Sequence, residues 1–406
     1  MNCFVTVTMV TADFNMVYLI FSVLNDRGLD LSMLDKLKSD ILSKSNPENR
    51  KKLGQAWDLI HHELNEDMNK ISLFLRIAEL QKKSDEKDIG KLCEEIMTSK
   101  NINSEEFFVL IIQYCLAHKY IAQEYNSKNT DLQGPLKKIY EKIDQLKQLE
   151  STFHTLYNKK GYTGFWEWKP LVYRKLSECF SVNFNNFQFN LQEIPEDKYE
   201  DVLEYLTQIE NISVFLAIIR FSSNQRLDYY IKKSYPSTTG FSDSIILLIS
   251  KGKLKKKLDK LHYSKTFHQV LLYLFLRIEN NWISLVEQKR INLTLEFISS
   301  SSDIREIQTD INNFGNLALV TNKSAQPFIR KRGIYSNSQF FYTKKISEKN
   351  TWTSAMINER RNKLIKKWMK VWNWETLDDA KEIVEDTRLA KRKYSVERLS
   401  FQKKRA

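Results

Sequence analysis

From Lys51 to Tyr125 the apolar positions return with a helical rhythm. Trp57, Ile60, Leu64 and Met68 are followed by Ile71, Leu75, Ile77 and Leu80, and polar breaks near 83–88 and 99–104 divide the run. Spacings of three and four residues place one apolar stripe on each helix. Asn103-Ser104-Glu105 has the residue types that cap a helix N-terminus, and it precedes an apolar helix with Phe107, Val109, Ile112 and Cys115. Gln133-Gly134-Pro135 then turns the chain into a heptad-like segment that ends near Leu149. With fewer than three or four sustained heptads, it packs against neighbours and is no free coiled coil.

The pattern differs at both ends. Residues 4–10, FVTVTMV, alternate and read as a strand. Asp13 caps a helix with Phe14, Val17, Tyr18, Phe21 and Leu24 on one face, and Gly28 supplies its left-handed stop. Ser32 and Asp35 open a second helix carrying Leu34, Leu37 and Ile41, which Asn46-Pro47 ends. Residues 199–248 return to buried helix through Leu203, Leu206, Ile212, Phe215, Leu216 and Ile219, with Pro236 and Gly240 as breaks. A further apolar helix runs from Val270 to Ile278, the stretch LTLEFI from Leu293 reads as a strand, and Phe314-Gly315-Asn316-Leu317-Ala318-Leu319 follows. After Trp352 a last helix buries Ile357, Leu364, Trp368 and Val371 or Trp372.

Composition agrees with a mainly helical chain too long for one core: 406 residues, 42% hydrophobic, with only 10 Gly and 6 Pro. The 63 Lys plus Arg exceed the 50 Asp plus Glu, giving a net charge of +13. That balance suits a polyanion, although a Lys- and Asn-rich composition also follows from genome bias. The 4 cysteines, Cys3, Cys93, Cys115 and Cys179, form no C-x-x-C pair, which argues against a zinc ribbon or a disulfide framework and fits a reducing cytoplasm. No apolar run reaches the roughly 18 residues that span a bilayer. The expectation is a cytoplasmic protein with no membrane partner.

Charge gathers in three places. Lys251, Lys253, Lys255, Lys256, Lys257 and Lys260 crowd one helix, Arg360, Arg361, Lys363, Lys366, Lys367 and Lys370 flank the apolar stripe of the last, and the tail from Arg388 is basic. Each reads either as a solvated face or as a set of phosphate contacts. The turn from Gly161 to Trp166 carries aromatics that suit base stacking, or more simply a loop pinned to the helical core.

Two stretches taken together resemble the GmrSD-type, modification-dependent restriction endonucleases. Residues 20–44, with Phe21, Asn25, Arg27 and Gly28, resemble the end of that family's ParB-like N-terminal domain. Residues 270–372 resemble its C-terminal nuclease domain through Arg277-Ile278-Glu279, LTLEFI, Gly315-Asn316-Leu317 and a helix with Arg360, Leu364 and Trp372. The resemblance implies a mainly α protein with a long helical middle, a small C-terminal ββα-metal (His-Me finger, HNH-like) unit and an N-terminal strand remnant. It implies four parts: 1–48 as the remnant, 49–285 helical, 286–375 nuclease-like, and 376–406 a basic tail.

The same resemblance implies Mg²⁺ or Mn²⁺ if the chain is active, DNA as partner, and a histidine as general base on the first strand. Histidine suits that task because its pKa lies near working pH. At the matching position of Glu296-Phe297-Ile298 stands Phe297, which takes no proton, and no histidine follows His268. The later Asn of the pattern falls at Ala325 or Gln326, with Asn322 nearby. Asn316 is the polar family position that carries over, as a catalytic or metal-binding residue. Strand alternation sends Glu296 outward if Phe297 points in, so Glu296 and the loop carboxylates Asp303 and Asp310 are the remaining candidates, Asp303 for metal. A substitute base would come from His262 or His268. Arg360, Arg361, Lys363, Lys367 and Lys370 are the expected DNA contacts.

The family's Asp-Gly-Gln-Gln-Arg motif does not occur, so no NTP site is expected in this chain, and a separate N-terminal subunit would supply it. These features predict a degenerate homologue that binds DNA or a partner without efficient cleavage. An active metal-dependent endonuclease and a helical interaction module are the two other readings.

Overall fold

A computed structural model describes residues 33–64, 68–80, 89–123, 125, 133–157, 166–182, 193–219, 226–227, 230, 251–265, 267–279, 282–299, 311–322, 326–372 and 374. The expected strand at 4–10, the helix and NDRG turn after it, Gly161 to Phe165, Pro236 and Gly240, Asp303 and Asp310, Ala325 and the basic tail lie outside them.

Helices dominate, as the periodicities predict. The first compact unit holds α1 (Met33–Lys44), α2 (Pro47–Leu64), α3 (Met68–Leu80), α4 (Ile89–Lys100), α5 (Ser104–Ala122) and α7 (Lys169–Ser177). Pro47 both ends one helix and starts the next, because its missing N–H costs nothing in a first helical turn. Asn103 caps α5 in a full capping box: its side chain accepts from the Glu105 and Glu106 amides, and the Glu106 carboxylate accepts from the Asn103 amide. α5 is buried along most of its length, with Phe107, Phe108, Ile111, Ile112, Cys115 and Tyr120 all inside, so it forms the centre of this unit.

The second unit gathers α6 (Gly134–Tyr157), α8 (Tyr199–Ile219, from Leu203 on) and everything described after them: α9 (Lys251–Asp259), α10 (His268–Leu276), α11 (Leu285–Arg290), β1 (Thr294–Phe297), β2 (Leu317–Val320), α12 (Phe328–Ser336), α13 (Phe341–Ser347) and α14 (Ser354–Val371). α6 runs past the expected end at Leu149. Gly134, at φ +58°, makes the turn into it, a conformation that costs glycine nothing.

A buried carboxylate organises this unit. Glu210 on α8 accepts from Lys142 on α6, from Tyr273 at 2.7 Å on α10, from Arg277 at 2.7 Å just beyond it, and from the Trp372 indole at 3.2 Å after α14. Burial alone would raise its pKa, but the Arg277 and Lys142 charges hold the carboxyl well below the usual range. Asp144 on α6 plays a smaller part of the same kind, accepting from the Trp282 indole at 2.9 Å and from the Leu285 amide at 3.0 Å.

Candidate functional site

β1 and β2 pair antiparallel, with Thr294 opposite Val320, Glu296 opposite Ala318 and Phe297 opposite Leu317. They form the one sheet among the described residues. Two strands cannot stabilise themselves, so helices must cover them. A cluster of Ile298, Ala318, Val320, Phe328, Tyr335, Ile346, Trp352 and Ile357 does so from α12, α13 and α14.

Burial along β1 does not alternate: Leu295 and Glu296 are both buried between half-buried Thr294 and Phe297, so Glu296, expected outside if Phe297 points in, lies inside. Glu296 is the inward residue, 6% exposed, and Phe297 is half-buried. The reason is α12, whose polar side chains reach the strand: the Tyr335 hydroxyl donates to Glu296 at 2.8 Å, and the Lys331 ammonium lies 3.9 Å from the same carboxylate. That ammonium also donates to the Phe297 carbonyl at 2.6 Å. Burial and the Glu296 charge push the Tyr335 hydroxyl far above its ordinary pKa, so it remains a donor at any working pH. Tyr335→Phe removes a hydrogen bond to a buried charge and is expected to cost about 1.5–3 kcal/mol. A loss within about 0.5 kcal/mol in denaturant unfolding would contradict that assignment.

Asn316 is fully buried and fully bonded. Its carbonyl oxygen accepts from the Ser299 amide at 3.2 Å, the Ser299 hydroxyl at 3.3 Å and the Trp352 indole at 3.1 Å. Its amide donates to the Ser299 carbonyl at 3.0 Å and the Ile311 carbonyl at 3.2 Å. An amide oxygen with three donors has no lone pair to offer a cation. Ser299, Asn316 and Trp352 instead clamp the end of β1 to the start of β2. Gly315 lets α14 approach this clamp, since a Cβ there would lie 2.1 Å from the Ile357 carbonyl oxygen.

The Phe297 ring stands edge-to-face against Tyr263 at 4.9 Å. Tyr263 meets the His268 ring at 5.7 Å, and His268 Nε2 lies 3.4 Å from the Thr294 hydroxyl. The fold therefore does bring His268 to β1, beside the strand on which the base is expected. His262 pairs through its backbone with Asn313, and its side chain faces out.

The basic helix divides in two. Arg360 was expected at DNA but turns inward: its Nη1 donates to the Gly315 carbonyl at 2.9 Å and the Leu317 carbonyl at 2.5 Å, and its guanidinium lies over Phe275 at 5.6 Å. Burial pushes its pKa down to about 10, which leaves it charged at neutral pH. Arg361 reaches Asp259 at 3.1 Å and ties α9 to α14. Periodicity placed both arginines beside the buried stripe, and the long side chains complete contacts there. Lys363, Lys366, Lys367 and Lys370 remain exposed, with Lys363 paired to Glu359.

Metal fit can be judged on these contacts. The Glu296 carboxylate is taken up by Tyr335 and Lys331, and the Asn316 oxygen by its three donors, so neither is arranged to receive a divalent cation. Among the described residues no three His, Cys, Asp or Glu side chains gather as a ligand set. Sequence reasoning missed Lys331, Tyr335 and Trp352, which decide both points. Nothing in the pattern of apolar positions marked them: Trp352 lies between two helices, and α12 exposes Ile329 and Ile334 while it buries Lys331 and Tyr335.

These features define a mainly helical protein whose C-terminal part closes an antiparallel strand pair with basic helices. Residues 249–367 match the family model of the GmrSD restriction endonucleases, C-terminal domain, so this part of the chain is similar to that domain. No curated protein matches the chain. No helix among the described residues is long and apolar enough to cross a membrane.

Proposed function

We propose that this chain is a cytoplasmic, DNA-binding member of the GmrSD restriction family whose His-Me finger-like unit has lost efficient cleavage. One contrast carries the reading. At the strand position where the resemblance expects a base, the Phe297 ring packs on Tyr263 and the neighbouring Glu296 and Asn316 are bonded inside the fold, while Lys363, Lys366, Lys367 and Lys370 stay outside on α14. The scaffold is kept and the polar groups hold it together. Asp-Gly-Gln-Gln-Arg is not among the 406 residues, so nucleotide chemistry in an assembly with this chain would come from a separate subunit.

The test is a gel shift of the full chain with duplex DNA at two salt concentrations. Affinity should fall with salt, and Lys363→Glu with Lys367→Glu and Lys370→Glu should flatten the log–log slope by about 2–3, near one unit per lost phosphate contact. Salt-independent binding would overturn the DNA reading. Alongside, plasmid incubated with Mg²⁺ or Mn²⁺ should stay intact with wild type, and sustained cutting would overturn the loss of cleavage.

One observation favours the second reading, an active endonuclease: His268 lies against the Thr294 hydroxyl and the Tyr263 ring. If wild type cuts and His268→Ala abolishes cutting at unchanged stability, that reading replaces the first. Asn316 variants cannot serve here, because they break the strand clamp whatever the chemistry.

A further inference from the structure

Between α13 and α14 runs a groove of about 630 Å³, within the size range of small-ligand sites. Its lining includes six cations, Lys345, Lys349, Arg360, Lys363, Lys366 and Lys367, against two carboxylates, Glu348 and Glu359. Among the described residues only Lys363 of these lysines stands in an ion pair. Trp352, Ile346 and Leu364 are buried in the lining, whereas the Phe341 ring is 42% exposed with the Lys345 ammonium 4.5 Å from its centroid. Phe341 thus keeps much of its surface at the groove although Lys345 covers one side of its ring and Tyr342 meets it edge-on at 5.2 Å, and an aromatic among cations offers a base its π-surface and a phosphate its counter-charge at once.

Arg360 supplies a second, independent observation. Its Nη1 is spent on two backbone carbonyls, but its Nη2 is buried and finds no hydrogen-bond acceptor among the described residues. Buried donors are nearly always paired, and a guanidinium at a groove wall with an unspent N–H is matched by a phosphate or a base carbonyl. A charge run alone would explain the lysines as a solvated face. It does not explain the exposed aromatic or the orphaned donor.

We infer that this groove seats an unpaired nucleotide of single-stranded DNA, with its base on Phe341 and its phosphates on the lysine rim. The inference rests on the DNA-binding reading above and adds which form of DNA is preferred and where the base goes. The stacked bases of a duplex offer no open face to Phe341, whereas an unpaired base does. Glu279 fixes the platform by accepting from the Phe341 amide at 2.7 Å and the Tyr342 amide at 3.3 Å, so α13 presents the ring from a held N-terminus.

The experiment is fluorescence anisotropy of the full chain with a labelled oligothymidylate, and with a labelled duplex of the same length. Wild type should bind the single strand at least as tightly as the duplex. Phe341→Ala should weaken the single strand by about 5- to 100-fold, the range of one lost stacking contact, and leave duplex affinity within about twofold. Phe341→Tyr should keep wild-type binding, and Phe341→Leu, which retains apolar bulk without a π-face, should behave like Phe341→Ala, so a folding defect in one variant does not leave the question open. Single-strand affinity unchanged in the alanine and leucine variants overturns the inference while duplex binding still supports the broader reading. So does wild-type preference for the duplex, or for an oligouridylate over DNA. Failure to bind any of these probes overturns both.

Discussion

Glu210→Ala is expected to cost the second unit about 3–5 kcal/mol, because it strands the Lys142 and Arg277 charges in the interior with no anion between them. For a unit of this size that is a fall of roughly 6–20 °C in unfolding temperature. Truncating either cation should cost less, since the other still pairs with the carboxylate. The effect has a pH signature with a definite sign. The folded-state pKa of Glu210 lies below its ordinary value, so its contribution is fully present above the usual carboxylate range and is lost as pH falls through and below it. Wild type should therefore lose stability on acidification more steeply than Glu210→Gln, which begins lower and has no carboxylate there to protonate. Thermal unfolding followed by circular dichroism at neutral and acid pH measures both. If Glu210→Gln is within about 1 kcal/mol of wild type at neutral pH, the hub does not hold α6, α8, α10 and the end of α14 together.

Nothing in the sequence marks Glu210. It sits between Ile209 and Asn211 as one of several polar positions in its helix, and its partners lie on three other elements far away in the chain. Periodicity reports which face of a helix is buried, and it is blind to which buried polar atoms meet across elements. For that reason the helices were legible, including the break before α5, the stop at Asn46-Pro47 and the buried Ile357, Leu364 and Trp368 of α14, whereas the start of α2 at Pro47 was not. The first strand was legible too, through LTLEFI, whereas its partner Leu317–Val320 was not read as a strand from the residues and came only with the resemblance.

Side-chain direction was not legible. Alternation alone left Glu296 outside only if Phe297 pointed in, and the face it took was decided by Tyr335 and Lys331 on a later helix. Arg360 and Arg361 read as part of a cationic surface, because composition cannot separate an arginine that donates to buried carbonyls from one facing water. Asn316 carried over as a chemical residue, and its environment makes it a clamp. In each case the missing information was the identity of the hydrogen-bond partner, which depends on tertiary placement.

The Gly315 position joins these threads, and its substitution is the second large effect. A Cβ at Gly315 would stand 2.1 Å from the Ile357 carbonyl oxygen and 3.1 Å from the Arg361 amide nitrogen, both on the backbone of α14. Backbone atoms inside a helix cannot rotate aside, so Gly315→Ala must push the helix off the strand pair. That movement also strains the two hydrogen bonds from Arg360 to the carbonyls of Gly315 and Leu317, and the packing of Phe314 on Trp368 at 5.0 Å. Overpacking together with weakened charged hydrogen bonds is worth on the order of 4 kcal/mol.

Gly333 on α12 is the matched control. A Cβ there meets nothing within 4 Å, so Gly333→Ala should stabilise the helix by about 0.5–1 kcal/mol. The two alanines thus carry opposite signs, which a generic intolerance of the domain to mutation would not produce. Because α14 bears Lys363, Lys367 and Lys370, Gly315→Ala should lower DNA affinity and unfolding temperature together, whereas the lysine-to-glutamate variants should lower affinity alone. Unchanged stability in Gly315→Ala would mean that α14 does not rest on the Gly-Asn-Leu turn. If stability falls as expected, the Gly-Asn-Leu stretch is accounted for by packing, and its presence says nothing about cleavage.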